Sequence, residues 1–92
     1  MGKYKVALSD RAKTHLSGWK KSGQLTAIKK IERIIEELSE TPYLGIGSPE
    51  PLKYRGQSEC WSRRINKKDR IIYQVKKETV FIVSAKGHYE DK

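Results

Sequence analysis

From Leu25 to Leu38 the apolar residues Leu25, Ile28, Ile31, Ile35 and Leu38 return every three or four positions with charges between them, and at Thr41-Pro42 that rhythm stops. The spacing predicts an amphipathic helix over 25–38. Proline ends it, because it lacks an amide donor and bars its predecessor from the helical region. Beyond residue 59 the apolar period changes to two. A chain that changes period in this way divides into a helical part and a sheet part, each burying its apolar face against the other.

The remaining elements follow from the same patterns. Lys3-Tyr4-Lys5-Val6-Ala7-Leu8 alternates polar with apolar, which sets Tyr4, Val6 and Leu8 on one face of a strand. Ser9 and Asp10 offer N-cap oxygens, and Ala12, Leu16 and Trp19 recur at helical spacing, so a first helix is expected from Asp10 to about residue 21, ending near Ser22-Gly23. Gly45, Gly47, Pro49, Pro51 and Gly56 mark 43–59 as mostly loop. Three strands then form an antiparallel meander, at 60–65, 70–75 and 79–85. Alternation turns Trp61, Ile65, Ile71, Tyr73 and Val75 toward the helices and Ser62, Arg64, Arg70 and Gln74 away from them. The expected fold is α+β: an N-terminal strand, two helices, and a meander packed on the helices. With 92 residues, the chain is expected to form one domain over 1–92.

Charge gives the first functional clue. Twenty Lys and Arg against 11 Asp and Glu leave a formal net charge of +9. Such a surface attracts phosphate backbones, but anionic membranes and acidic proteins are attracted too, and many Lys-rich surfaces serve solubility alone. The one cysteine, Cys60, permits no internal disulfide and no zinc site, which favours a reducing compartment. The apolar runs at 71–73 and 80–83 fall far short of the roughly 20 residues of a membrane span. The N-terminus lacks an apolar signal core, and Val6 stands where the myristoylation pattern wants Ser or Thr. A cytoplasmic protein without a membrane partner is expected.

The residues able to move protons are few. Of the histidines, His15 falls inside the first helix and His88 beyond the last strand, beside Tyr89. A histidine near its ordinary pKa of about 6.5 can give or take a proton at neutral pH. Glu50 stands apart from the helix glutamates Glu32, Glu36, Glu37 and Glu40, which look like solvated charges, because Pro49 and Pro51 fix its backbone on both sides. Arg63, Arg64 and Arg70 can hold a phosphate. Read singly, these are a surface histidine, a turn residue and strand decoration.

Read in order, they carry more. Gly47-Ser48-Pro49-Glu50-Pro51-Leu52-Lys53, Trp61-Ser62-Arg63-Arg64-Ile65, Arg70-Ile71-Ile72-Tyr73 and Lys86-Gly87-His88-Tyr89 together resemble the Txe/YoeB family of toxins in the RelE superfamily. The resemblance implies a RelE-like fold and a ribosome-dependent endoribonuclease that works by acid/base catalysis with no metal or cofactor. It implies Glu50 as general base, His88 as general acid and Arg70 as the group that holds the scissile phosphate. Arg64, Arg63 and Lys53 would support the phosphate electrostatically, and Tyr89 would position a base of the RNA. The implied partners are mRNA in the ribosomal A site, the ribosome and a YefM-like antitoxin, with self-association as a homodimer.

Two departures stand out. The segment between Lys53 and Trp61 is one residue longer than the usual family loop, and the chain continues past Tyr89 with Glu90-Asp91-Lys92. Two added acids near His88 would raise its pKa. Two other classes share features with this sequence: a ParE-like toxin that inhibits DNA gyrase by binding, and a non-catalytic RNA-binding module that stacks bases on Trp61, Tyr73 and Tyr89. A pure binder needs neither an acid nor a base, so Glu50 with His88 separates them from the nuclease. Cys60 has no assigned role.

Overall fold

In the computed structural model the described residues are 3–51 and 59–86, with the side chain of Glu59 not described. They form β1 (Lys5–Leu8), α1 (Asp10–Ser22), α2 (Leu25–Leu38), β2 (Glu50–Pro51), β3 (Glu59–Arg64), β4 (Arg70–Lys76) and β5 (Thr79–Ser84). The strands make one sheet in the order β1-β5-β4-β3-β2. β1 runs parallel to β5, and the other pairs are antiparallel.

The ends of α1 are set by local chemistry. The Ser9 hydroxyl accepts from the Ala12 amide at 3.0 Å, a side-chain N-cap. The same hydroxyl donates to the Val83 carbonyl at 2.7 Å, which ties the cap to β5. Gly23 closes the helix at φ 74°, a left-handed conformation that glycine adopts without a Cβ penalty.

Both helices lie on one face of the sheet. Ala12 and Trp19 from α1, and Ala27, Ile31, Ile34 and Leu38 from α2, pack with Ile65, Ile71, Tyr73, Val75, Val80, Ile82 and Ala85 in a single core cluster. Val6 and Leu8 of β1, and Tyr4 just before it, pack against the cluster, as their alternation predicts. The buried stripe of α2 is turned from the one its bulkiest residues suggest: Ala27 and Ile34 are buried, whereas Leu25 is 66% exposed. Leu25 is the first residue of the helix.

One element is additional to those expected. Glu50 and Pro51, within the stretch read as loop, pair with Ser62 and Trp61 and extend the sheet at its edge. Two residues generate no periodicity, so nothing in the sequence marks them as a strand. Among the described residues no helix is long and apolar enough to cross a membrane.

Candidate functional site

β3 works on both of its faces. Period-two geometry sends Trp61, Arg63 and Ile65 toward the helices and Ser62 and Arg64 away from them. On the outer face Arg64 lies directly opposite Arg70 of β4. Like charges placed directly across a ladder are destabilising, so this arrangement is poor for the sheet and good for an anion. Ser62, between Glu50 on one side and Ile72 on the other, is buried.

The strand pairing brings Glu50 to the same place. The Arg70 guanidinium donates through Nη1 to Glu50 Oε1 at 3.3 Å and to Ser62 Oγ at 3.5 Å. Both members of this pair remain open to solvent, Arg70 at 28% and Glu50 at 60% side-chain exposure. Three of the residues singled out in the sequence, Glu50, Arg64 and Arg70, thus meet on one open face although 20 positions separate the first from the last. Lys53, His88 and Tyr89 lie outside the described residues, as does the extension after Tyr89.

Arg63 belongs elsewhere, and its expected role in supporting a phosphate is corrected by its surroundings. It has no solvent exposure. Nη1 reaches Glu37 Oε1 at 2.8 Å and the Ile46 carbonyl at 3.4 Å, Nη2 reaches the carbonyls of Thr41 at 2.6 Å and Leu44 at 2.9 Å, and Nε reaches the Tyr73 hydroxyl at 3.3 Å. Each of the guanidinium's donor directions is used inside the protein, leaving nothing to offer a phosphate. Tyr73 in turn donates to the Pro42 carbonyl at 2.6 Å and is itself fully buried, so it offers no surface for base stacking. Trp61 is half-buried and packs against Tyr43 with ring centroids 5.0 Å apart.

Glu37, read from the sequence as a solvated charge, is the counter-ion of this centre. Desolvation pushes its carboxyl upward, but the Ile46 amide, the Arg63 guanidinium and Arg33 outweigh that and hold it below its ordinary value of 4.5. Burial raises the Tyr73 hydroxyl against the opposing pull of Arg63. The clue to Arg63 was in the sequence, since it alternates with Trp61 and Ile65. No local clue points to Glu37, which lies 26 residues away.

The end of β5 has its own anchor. Ala85 donates its amide to His15 Nδ1 at 3.1 Å and accepts from Trp19 Nε1 at 2.7 Å through its carbonyl. Residues four apart on α1 therefore hold both polar groups of one backbone unit. Accepting that bond requires a neutral imidazole. Desolvation, reinforced by Arg11 and Lys86, keeps the His15 pKa below its ordinary 6.5.

A mixed five-stranded sheet carrying two helices on one face is the α+β architecture of RelE-like toxins. A YoeB/ParE toxin from Agrobacterium tumefaciens superposes on this chain with a TM-score of 0.81 and 28% identity, covering 92% of this chain and 99% of that one. Residues 9–89 match the family described as the YoeB-like toxin of bacterial type II toxin-antitoxin systems, and the chain belongs to that family. A toxin YoeB from Synechocystis sp. is 36% identical over 72 residues, 78% of this chain and 83% of that protein. Two structures from Staphylococcus aureus, a YoeB dimer and a YoeB–YefM complex, match with TM-scores of 0.78 and 0.74 at 28% and 29% identity. They cover 95% and 94% of this chain, and 99% and 98% of their own.

Proposed function

We propose that this toxin is a ribosome-dependent endoribonuclease that cuts messenger RNA by acid/base catalysis without a metal. The observation that carries the reading is the meeting of Glu50 with Arg70 and Arg64 on the open face of the sheet. Cleavage by cyclisation needs a base for the 2′-hydroxyl, an acid for the leaving 5′-oxygen and cations at the phosphate. Glu50 takes the 2′-hydroxyl proton, the 2′-oxygen closes on phosphorus, and the bond to the 5′-oxygen breaks as His88 protonates that oxygen. The products are a 2′,3′-cyclic phosphate, which water opens to a 3′-phosphate, and a 5′-hydroxyl. Arg70, with Arg64 and Lys53, neutralises the charge that builds on the phosphate, and Tyr89 positions a base.

Two physical points support these roles. An exposed ion pair contributes at most about 1 kcal/mol, so an incoming phosphate can draw Arg70 away from Glu50 at little cost and free the carboxylate to act as base. The register also places Ser84 in the same row as Glu50, through Ile72 and Ser62. Three strand spacings separate that row's two ends by about 14 Å, and His88 follows Ser84 by four residues in the sequence.

The partners follow from the family: a YefM-like antitoxin and a second copy of the chain, in keeping with the Staphylococcus aureus complex and dimer. The ribosome, its messenger RNA and a cytoplasmic location complete the reading. The test is to incubate the protein with translating ribosomes and a defined message and map cuts by primer extension. Cuts at A-site codons should appear with wild type and fall by at least about 10²-fold in Glu50→Ala and in His88→Ala. An intact message together with inhibited DNA gyrase would replace the nuclease by a gyrase-binding toxin.

A further inference from the structure

The segment from Thr41 to Pro49 belongs to no helix or strand, yet it delivers Glu50 to the outer face. Its backbone groups need partners, because unpaired polar groups at a buried site are costly. A single centre supplies them. Arg63 takes the carbonyls of Thr41, Leu44 and Ile46, Tyr73 takes that of Pro42, and Glu37 Oε1 accepts from the Ile46 amide at 3.0 Å.

The segment is shaped to wrap this centre closely. A Cβ on Gly45 would overlap Glu37 Oε1 and come within 2.8 Å of Arg63 Nη1, and Gly45 adopts φ 138°. A Cβ on Gly47 would meet the Arg64 carbonyl oxygen at 2.9 Å and Arg63 Cβ at 3.2 Å, at φ 84°. Both positions therefore require glycine for space as well as for backbone conformation.

Position then passes along the chain to Glu50. The Gly47 carbonyl accepts from the Arg64 amide at 2.7 Å, and three residues later Glu50 pairs with Ser62. Arg63 stands between those two attachment points on β3. Among the described residues the ladder holding Glu50 comprises Glu50 and Pro51, and the anchorage behind the sheet fixes the segment that leads into it.

We propose that Glu37 and Arg63, with Tyr73, are positioning residues for the cleavage reaction: buried behind the sheet, they fix the segment 41–49 and thereby hold the Glu50 carboxylate in reacting geometry beside Arg70. The inference rests on the nuclease reading above and adds to it a role for groups that never touch RNA. An apolar replacement of the pair leaves no charge unpaired, but it leaves the carbonyls of the loop without a common anchor.

The test is a pair of double-mutant cycles on translating ribosomes, with kcat and KM measured at a temperature where circular dichroism shows every variant folded. Glu37→Gln keeps an acceptor oxygen but loses the charge, and Tyr73→Phe loses one hydroxyl and folds even if the first variant does not. Misplacement of a reacting group by about 1 Å costs on the order of 10²-fold. Glu37→Gln should therefore lower kcat by about 10- to 100-fold, and Tyr73→Phe less, with KM changed by less than about threefold. In a Glu50→Ala background the same substitutions should change the residual rate by less than about twofold, since there is no base left to misplace. The proposal is overturned if the folded variants cleave at the wild-type rate, or if they lose the same factor with and without Glu50. If Glu50→Ala itself cuts as well as wild type, the nuclease reading fails and this inference goes with it.

Discussion

Two arginine–glutamate pairs sit on opposite faces of the same sheet and differ in almost everything except their chemistry. Behind the sheet, Arg63 and Glu37 meet at 2.8 Å with the arginine wholly out of solvent and engaged with three backbone carbonyls and a tyrosine hydroxyl. In front of it, Arg70 and Glu50 meet at 3.3 Å with both side chains open to water. The inner pair is saturated and so can only hold. The outer pair is loosely engaged and can exchange its partner for a phosphate. Burial, more than residue type, divides architecture from chemistry here.

Breaking each pair should therefore injure a different property. Arg63→Ala takes from Glu37 its buried counter-ion, leaves the loop carbonyls without their donor and is expected to cost about 3–5 kcal/mol, which lowers Tm by more than about 10 °C in a domain this size. Arg70→Ala is the mirror experiment: stability should stay within about 0.5 kcal/mol of wild type, while single-turnover cleavage falls by about 10²- to 10³-fold. If the first variant melted like wild type while the second unfolded, the division between the faces would be lost.

Acid sharpens the contrast next. The Glu37 carboxyl lies below its ordinary 4.5 in the folded chain, so the unfolded chain takes up that proton first as the pH drops. The stabilisation is fully present above the ordinary value and is lost as the pH falls through the folded one. Melting curves of wild type from about pH 6 to pH 3 should show this loss. Glu37→Gln, lacking the titrating group, should show a shallower one.

The smallest effect is expected at the anchor of β5. His15→Ala removes the acceptor for the Ala85 amide and should cost roughly 1 kcal/mol, read as a modest fall in Tm at neutral pH. Because the folded His15 titrates below its ordinary 6.5, the unfolded state binds more protons just below that value. Wild-type stability should thus decline as the pH falls from 6.5, and the variant should lack this component.

The sequence is most legible where a pattern repeats. The second helix is found over Leu25–Leu38 as its spacing predicts, and the meander alternates as read, because many residues report the same face. Leu25 fails because a lone apolar residue at a helix end need not follow the stripe. β2 is invisible because two residues carry no period. Arg63 shows how two signals can conflict: charge argues for the surface, while alternation between Trp61 and Ile65 argues for the interior, and alternation prevails because Glu37 neutralises it there. That partner is supplied by tertiary structure alone. Glu50, Arg64 and Arg70 were legible as motif members, but their meeting depends on strand register that no local pattern specifies.

The measurement that goes most directly to the proposed chemistry is the end-group analysis of the message cut by wild-type toxin on translating ribosomes. A base at Glu50 acting on the 2′-hydroxyl predicts a 2′,3′-cyclic phosphate or 3′-phosphate on the upstream fragment and a 5′-hydroxyl on the downstream one. A 5′-phosphate with a 3′-hydroxyl would mean that water, not the 2′-oxygen, attacks the phosphorus, and would contradict the role assigned to the outer pair.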